Sequence, residues 1–278
     1  MEPVYAGTLV DHLSFPEAPR WHAGHLWFSD FYQHKVFRTS LEGQLEVVAD
    51  VPGQPSGLGW LPGGDLLVVS MLDHRVLRIA LNGHTTTHAD LSGLVNAPCN
   101  DMVVANDGTA WVGNFGFDRH KGEAQASTVL IRIGANGDVS IAANGVMFPN
   151  GCALSADQQS LYLAESFANR ITHFPVSAQG GLGERRVVYQ AEGFFPDGLC
   201  LHEALGLWAA DPVSRHVLNL DTSGKVIRTL RLPDNRLPIA CAIGGADNNT
   251  LFVASNTGLG PGMAQQRNGR IEMFSLAT

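Results

Sequence analysis

One tripeptide pattern, Phe-Pro followed by an oxygen-bearing residue, occurs three times in the chain. The copies are Phe15-Pro16-Glu17, Phe148-Pro149-Asn150 and Phe195-Pro196-Asp197, and Asn100 after Pro98-Cys99 is a looser fourth copy. Proline restricts φ, so it presents the next side chain at a defined angle. If these two carboxylates and two amides met at one point, they would form a set of hard oxygen ligands. Such a set suits Ca²⁺ and, less selectively, Mg²⁺ or Mn²⁺.

Taken singly, these residues have a simpler explanation. Asn150-Gly151 and Asp197-Gly198 are dipeptides that are typical of ordinary turns. As a set they are harder to explain without a cation, because unpaired carboxylates repel one another when they are gathered in one narrow place. The metal hypothesis therefore depends on a fold that brings the residues together.

Short apolar runs with a central aromatic residue recur at a spacing of roughly 40 to 50 residues, which is the period of propeller blades. The runs are Leu26-Trp27-Phe28, Leu66-Leu67-Val68 (with leucine in the aromatic position), Ala110-Trp111-Val112, Leu161-Tyr162-Leu163, Leu207-Trp208-Ala209 and Leu251-Phe252-Val253. Each run follows a turn, such as Asn106-Asp107-Gly108, and each turn follows another short apolar stretch. The pattern predicts the first two strands of six similar units.

Further strands complete the units. The segments Lys35–Ser40, Arg75–Leu81 and His216–Leu220 are predicted third strands, and Leu45–Asp50 is a predicted fourth strand. The last unit has about three strands, so Tyr5–His12 is expected to supply its fourth strand and to cover the open sheet edge. The prediction is an all-β fold with a single domain over residues 1–278. It is a six-bladed β-propeller with four-stranded blades, closed by the N-terminal strand. A β-sandwich or two small β domains would not need the sixfold period.

Propeller geometry places two sets of polar residues on one face of the disk. The first strand of each blade lines the axis and the second returns beside it, so the start of the first lies near the end of the second. The first position holds Glu17, Ser56, Asn100, Asn150, Asp197 and, approximately, Cys241; the second holds Asp30, Ser70, Asn114, Glu165, Asp211 and Ser255. We expect the first set to ring the channel mouth and the second, the outer polar set, to lie just outside it.

Composition disfavours several classes of partner. The chain has 26 Asp and Glu against 18 Lys and Arg, a net charge of −8, whereas nucleic acid binding needs a basic surface. Apolar runs such as Leu66–Val69 are far shorter than the ~20 residues of a membrane span, and Met1–Val10 does not resemble a signal peptide. We predict no nucleic acid or membrane partner, a cytoplasmic location, and a monomer or weak homodimer that acts on a small molecule.

The ordered motifs resemble the senescence marker protein, gluconolactonase and luciferin-regenerating-enzyme family, whose members include regucalcin. Nearly the whole chain is covered, and the matching stretches are Phe15 to Trp21, Asn100-Asp101, Pro149-Asn150-Gly151, and Pro196-Asp197-Gly198 followed by Leu207-Trp208-Ala209. The resemblance implies a six-bladed propeller with one divalent cation at the channel mouth, held by Glu17, Asn150 and Asp197. Ca²⁺ is the first expectation, and Mg²⁺, Mn²⁺, Zn²⁺ and Fe²⁺ are alternatives.

The resemblance also implies residues that bind substrate. Asn100 corresponds to a family residue near the metal that helps to hold substrate, and the family's acidic substrate-binding residue falls near Asp118. The family's arginine that grips a polar sugar falls on Pro98. Asn114 and Phe115 are predicted to contact substrate at the rim. Loss of the arginine and gain of aromatic residues predict a substrate that is less polar than gluconolactone.

We predict from these observations a metal-dependent hydrolase that opens a lactone. The metal would polarise the lactone carbonyl, and Asp197 would act as general base toward water. Asp101 would hold Asn100 in position without contacting the metal itself. A phosphotriesterase or another esterase with the same metal site is an alternative, and so is a propeller that only binds a ligand. The sequence does not name the lactone or the metal.

Overall fold

The computed structural model describes residues 2–118 and 121–276 and contains six antiparallel four-stranded sheets. The strands of blades one to three are β2 (Pro16–His22), β3 (His25–Asp30), β4 (Lys35–Thr39), β5 (Leu45–Asp50), β6 (Pro55–Trp60), β7 (Leu66–Ser70), β8 (Arg75–Ile79), β9 (Thr85–Asp90), β10 (Cys99–Val104), β11 (Ala110–Asn114), β12 (Thr128–Ile133) and β13 (Val139–Val146). Those of blades four and five are β14 (Pro149–Leu154), β15 (Ser160–Glu165), β16 (Arg170–Pro175), β17 (Arg186–Gln190), β18 (Leu199–His202), β19 (Gly206–Asp211), β20 (His216–Leu220) and β21 (Val226–Leu230). Blade six joins β22 (Leu237–Gly244), β23 (Thr250–Asn256) and β24 (Gly269–Ser275) to β1 (Val4–Leu13).

The predicted six-bladed propeller is confirmed, including its closure by the N-terminal strand. β1 pairs antiparallel with β24, so that Val10 lies opposite Ile271. The third strands of the first two blades end at Thr39 and Ile79, one or two residues before the predicted ends. Because β1 comes from the N-terminal end of the chain and its partner β24 from the C-terminal end, blade six joins the two ends of the chain and closes the propeller.

Burial decreases from the axis to the rim of each blade. Every residue of β7 is buried, whereas β5, on the outside of its blade, is mostly exposed. Strands covered on both faces by the neighbouring blades bury both sets of side chains, and β7 is accordingly a nearly continuous apolar run. The aromatic position of the repeat fills the space between blades, as the fully buried Trp111 and Trp208 show.

Two glycines allow the innermost strands to approach closely. A Cβ atom on Gly151 would lie 2.5 Å from the Asp197 carbonyl oxygen, and one on Gly198 would lie 2.3 Å from the Ala240 Cβ. The Gly151 N–H donates to the Asp197 carbonyl at 3.1 Å. Asn150-Gly151 lies inside β14 and not in a turn, so the simpler explanation from turn chemistry does not apply to it. These glycines bring Asn150, on β14, close to Asp197, which stands two residues before β18.

Ring closure is reinforced by a buried carboxylate. Glu272 on β24 accepts hydrogen bonds from the Tyr5 hydroxyl (2.9 Å) and the Thr8 hydroxyl (2.8 Å) of β1. The Arg236 Nε lies 3.3 Å from the same carboxylate. One buried side chain therefore ties the N-terminal strand to the last blade.

Helical structure in the described residues consists of short 3-10 segments. They include Ser166–Ala168, Pro233–Asn235 and Pro261–Ala264. No helix in residues 2–118 and 121–276 has the length and apolar composition that crossing a membrane would require. The first segment matters for the site, because it follows β15 directly and carries Ser166 and Phe167 to the central cavity.

Candidate metal centre and substrate cavity

Four members of the first set, the ring residues Glu17, Asn100, Asn150 and Asp197, come from four blades and line one cavity. The other two members, Ser56 and Cys241, are not part of the described lining. Glu17, Asn100 and Asn150 each occupy the second position of an innermost strand, and Asp197 stands two residues before β18. The cavity has a volume of about 190 Å³, and its lining is Phe15, Glu17, Phe31, Asn100, Phe115, Phe148, Asn150, Ser166, Phe167, Phe195, Asp197, Pro212, Val213 and Leu259. Equivalent positions in the repeat therefore gather two carboxylates and two amides around the same space.

Hydrogen bonds fix the orientation of both amides. The Ser166 hydroxyl donates to the Pro196 carbonyl at 2.7 Å and accepts from the Asn150 Nδ2 at 3.2 Å. The Asn100 Nδ2 donates to the Pro149 carbonyl at 3.5 Å. Since the NH₂ group of each amide is engaged with the protein, its carbonyl oxygen is the atom left for a cation. Sequence reasoning missed Ser166, whose only signal was its place directly after Glu165 of the outer polar set.

Glu17 sits in an environment that disfavours its charge. Its side chain is buried and accepts one hydrogen bond, from the Ala18 N–H at 2.8 Å. Burial raises the pKa of Glu17 well above its usual range, and repulsion from Asp197 and Asp101 raises it further. A bound cation would reverse this balance, because it favours the ionised carboxylate.

A buried ion pair lies beside the ring. The Arg20 Nη2 contacts the Asp101 Oδ1 at 2.7 Å and also donates to the Met102 carbonyl at 2.7 Å. The same Asp101 oxygen accepts from the Met102 N–H, and the other has no hydrogen-bond partner among the described residues. The hydrogen bonds of Asp101 therefore go to Arg20 and Met102, whereas the sequence prediction was that it supports Asn100.

The donor set fits a divalent cation. When ionised, Glu17, Asp101 and Asp197 together with Arg20 carry two net negative charges, which one divalent cation would neutralise. No group of three or more His, Cys, Asp or Glu side chains in the described part of the chain is arranged to hold a metal. A cation here would therefore need the amide oxygens as well as the carboxylates, and such an all-oxygen set suits Ca²⁺.

Each tripeptide supplies the cavity with an aromatic side chain as well as an oxygen donor. The first residue of each copy lines the cavity together with the oxygen-bearing third residue of that copy, and these first residues are Phe15, Phe148 and Phe195. Phe148 has φ of 50°, a left-handed conformation that is uncommon for a bulky residue and costs energy. Its ring stacks on Phe115 at 4.5 Å and contacts Phe167 at 4.8 Å between centroids.

The outer polar set, which we predicted just outside the ring at the channel mouth, is not part of the cavity lining found among the described residues. All six of its side chains are fully buried. Asp30 accepts from the Ser14 and Phe15 N–H groups at 2.7 and 3.1 Å, and Glu165 accepts from the Met147 N–H at 2.9 Å. These carboxylates act indirectly, because they hold the backbone that leads into two of the tripeptides.

The predicted substrate-binding residues divide into two groups. Asn100 and Phe115 line the cavity. Asn114 is fully buried and accepts from the Gly116 N–H at 3.0 Å, so it shapes the loop that carries Phe115. Asp118 is paired with Lys121 at 3.0 Å and is not part of the described cavity lining. Asn114 and Asp118 therefore do not meet the ring residues in this structure.

Comparison with known proteins agrees with this arrangement. A family model described as the SMP-30/Gluconolactonase/LRE-like region matches residues 15–257. The chain belongs to this family. The matched range begins at Phe15 of the first tripeptide and ends one residue after β23, so it contains all four ring residues.

Individual relatives share less than a third of their aligned residues with this chain. Regucalcin from Danio rerio is 28% identical over 253 residues, which cover 86% of this chain and 82% of that protein. The 6-deoxy-6-sulfogluconolactonase of Pseudomonas putida is 29% identical over 168 residues, 59% of this chain and 56% of that protein. Among solved structures, a calcium-binding protein, regucalcin, from Agrobacterium tumefaciens has a TM-score of 0.80 at 23% identity and covers 99% of this chain and 96% of that one. The structural likeness shows a shared fold.

Proposed function

We propose that this family member is a divalent-metal-dependent lactonase. The observation that carries the proposal is the gathering of Glu17, Asn100, Asn150 and Asp197 around one cavity with apolar walls. The lactonase name of the Pseudomonas relative favours ring opening of a lactone over hydrolysis of a phosphotriester. A purely binding propeller would not need buried carboxylates that repel one another beside the cavity.

Glu17, Asn150 and Asp197 would hold the cation, and Asn100 would lie close to it. Carboxylate and amide oxygens are hard donors, and regucalcin from Agrobacterium is described as calcium-binding, so Ca²⁺ is the first choice. Mg²⁺, Mn²⁺, Zn²⁺ and Fe²⁺ are the alternatives to be compared. When bound, the cation would supply an electrophile for the lactone carbonyl oxygen.

The protein groups would carry the proton and orient the substrate. Asp197 is only half-buried, so its carboxylate can accept the proton of a water that attacks the carbonyl carbon. The bond between that carbon and the ring oxygen breaks, and the proton passes to the leaving oxygen to give a hydroxy acid. Asn100 would position the lactone beside Asp197.

The substrate of this proposal is less polar than gluconolactone. Pro98 stands where the resemblance places the sugar-binding arginine, and Phe115 lines the cavity nearby. A cytoplasmic location belongs to the same proposal. All four cysteines are free thiols, as is usual in a reducing compartment, and cell fractionation would test the location.

The test compares metal content with turnover. Purified protein is analysed for bound metal, stripped with EDTA and assayed for lactone opening by pH-stat before and after each divalent cation is added back. We expect turnover to disappear on stripping and to return with Ca²⁺ or another oxygen-preferring cation. Glu17→Gln should bind the cation more weakly, with Glu46→Gln, an exposed carboxylate, as the matched control. Full turnover by stripped protein would refute metal dependence, and absence of turnover with every cation and lactone would refute the lactonase assignment.

A further inference from the structure

Apolar side chains dominate the cavity away from the ring residues. Nine of the fourteen lining residues have hydrocarbon side chains, and six of these are phenylalanines. The five polar ones are the four ring residues and Ser166. The polar part of the cavity is therefore confined to the place where the lactone carbonyl would react.

The aromatic residues form two walls. One wall consists of Phe15 and Phe31, whose rings are 5.4 Å apart. The other consists of Phe115, Phe148, Phe167 and Phe195, linked by ring contacts of 4.5 to 6.0 Å. Phe115, Phe167 and Phe195 are only partly buried, so packing between blades does not use all of their surface. Their remaining surface faces the cavity that they line.

The rim continues the apolar surface outward. Val213 is 53% exposed and Leu259 is 41% exposed, and both line the same cavity. They extend beyond the aromatic walls, so a substituent longer than the lactone ring would still meet hydrocarbon. Exposed apolar side chains grouped at a cleft are typical of a binding surface.

The walls offer nothing to the hydroxyl groups of a sugar. No Lys, Arg or His lines the cavity in the described part of the chain. Ser166 carries the only hydroxyl of this lining, and it already donates to the Pro196 carbonyl and accepts from Asn150. Hydroxyl groups of a lactone that lie against these walls would lose their water shell without gaining protein partners, which disfavours binding of a polyhydroxylated lactone.

We propose that the substrate is a lactone without ring hydroxyls that carries a hydrocarbon substituent. This inference rests on the proposed lactonase function. The ester group lies at the ring residues, and the substituent lies between the two aromatic walls and reaches toward Val213 and Leu259. Burial of the substituent drives recognition, because apolar surface gains free energy when it leaves water.

The experiment measures kcat/KM for three lactones with metal-loaded protein. They are γ-butyrolactone without a substituent, γ-phenyl-γ-butyrolactone, and glucono-δ-lactone. One methylene group in an apolar pocket changes kcat/KM by about 10–200-fold, so we expect the phenyl lactone to exceed γ-butyrolactone by at least about tenfold and to exceed glucono-δ-lactone by more. If glucono-δ-lactone is the best substrate, the inference is wrong while the lactonase function stands. If no lactone is opened, the lactonase function itself fails.

A second readout does not depend on turnover. A phenyl-substituted γ-lactam, whose amide resists hydrolysis, is titrated into the protein by calorimetry beside the unsubstituted lactam. We expect the phenyl compound to bind at least about tenfold more tightly, and equal affinities would overturn the inference.

Variants locate the substituent. Phe167→Ala should lower the ratio of kcat/KM between the phenyl and unsubstituted lactones by about tenfold or more. Leu259→Ser changes an exposed rim residue beyond the aromatic walls, so it tests the outer end of the same apolar surface if Phe167→Ala does not fold, and it should lower the ratio in the same direction. Leu81→Ala, at a residue that is 82% exposed and is not part of the described cavity lining, is the control and should leave the ratio unchanged. A ratio that stays constant in both wall variants would contradict the proposed position of the substituent.

Discussion

Ser166 connects two of the proposed metal ligands, and its removal is a sharp test of the site. Its hydroxyl donates to the carbonyl of Pro196, which precedes Asp197, and accepts from the Asn150 Nδ2. The side chain is 6% exposed, so water does not readily replace it. Ser166→Ala removes both hydrogen bonds, and the Asn150 amide then loses the partner that turns its oxygen toward the cavity.

The expected loss has two separate parts. A buried polar group left without its partner lowers the stability of the fold by about 1–3 kcal/mol. Changes to groups that orient metal ligands typically reduce metal affinity by about 10–100-fold, which corresponds to about 1.4–2.8 kcal/mol. We therefore expect Ser166→Ala to weaken binding of the cation by about 10–100-fold, in addition to its loss of stability.

The assay is calorimetric titration of metal-stripped protein with Ca²⁺, beside thermal unfolding by circular dichroism. Ser166→Thr retains the hydroxyl and should bind the cation much more tightly than Ser166→Ala. Thr39→Val is the matched control, since Thr39 is a buried residue whose hydroxyl donates to the Ser40 carbonyl at 3.1 Å on the third strand of blade one. It should lower stability without changing affinity for the cation.

Three results would refute this reasoning. Wild-type affinity in a folded Ser166→Ala protein would mean that Ser166 does not orient Asn150 toward a cation. Equal weakening in Ser166→Thr would mean that the shape of the side chain matters and its hydroxyl does not. An equal loss of affinity in Thr39→Val would point to general destabilisation of the propeller.

Three further predictions concern Asp197 as the general base, the protonation of Glu17, and closure of the propeller by Glu272. Asp197→Asn keeps an oxygen donor for the cation but removes the general base. At saturating cation, kcat in the pH-stat assay should fall by about 10²–10⁴-fold, with little change in thermal unfolding. Activity within threefold of wild type would exclude Asp197 as the general base. Burial and repulsion from Asp197 raise the pKa of Glu17, so at low pH a cation must displace the proton of this carboxyl group. The affinity for the cation, measured by calorimetry, should therefore fall as the pH is lowered through that raised pKa. Glu17→Gln should show a flatter pH dependence of this affinity. Glu272→Gln weakens the buried contacts to Arg236 and β1, so urea unfolding should show a loss of about 3–5 kcal/mol. The exposed-pair variant Glu46→Gln should lose less than about 1 kcal/mol, and similar losses in the two variants would argue against ring closure by Glu272.

Much of the fold was predictable because its signals are local. The aromatic run of each unit sits in a second strand, as at β11 and β19, and the predicted bounds of β5 and β20 are those observed. The N-terminal strand could be assigned to blade six because an incomplete unit leaves an unpaired edge. A repeat also converts sequence position into spatial position, which is why residues as distant as Glu17 and Asp197 could be placed at one cavity.

Only the tertiary structure showed that the outer polar set does not line the cavity. The outer polar set follows the same repeat as the ring, yet all six of its side chains are buried and Asp30 holds backbone N–H groups near the first tripeptide. Strand periodicity gives the position of a side chain along the blade, but a displacement of a few ångströms decides whether it meets solvent or a loop. Asn114 was expected at the rim for the same reason and is fully buried, where it accepts a hydrogen bond from the Gly116 N–H.

The sequence by itself determined the sixfold ring, the closing strand and the four oxygen donors at equivalent positions, because turn chemistry and apolar patterning act over a few residues. Only the tertiary structure decided the partners of these donors. Ser166 meets Asn150 across 16 residues of chain and Arg20 meets Asp101 across 81. The first pair lies within blade four and the second joins blades one and three, so both depend on the path of the chain in space, and no spacing along the chain encodes them.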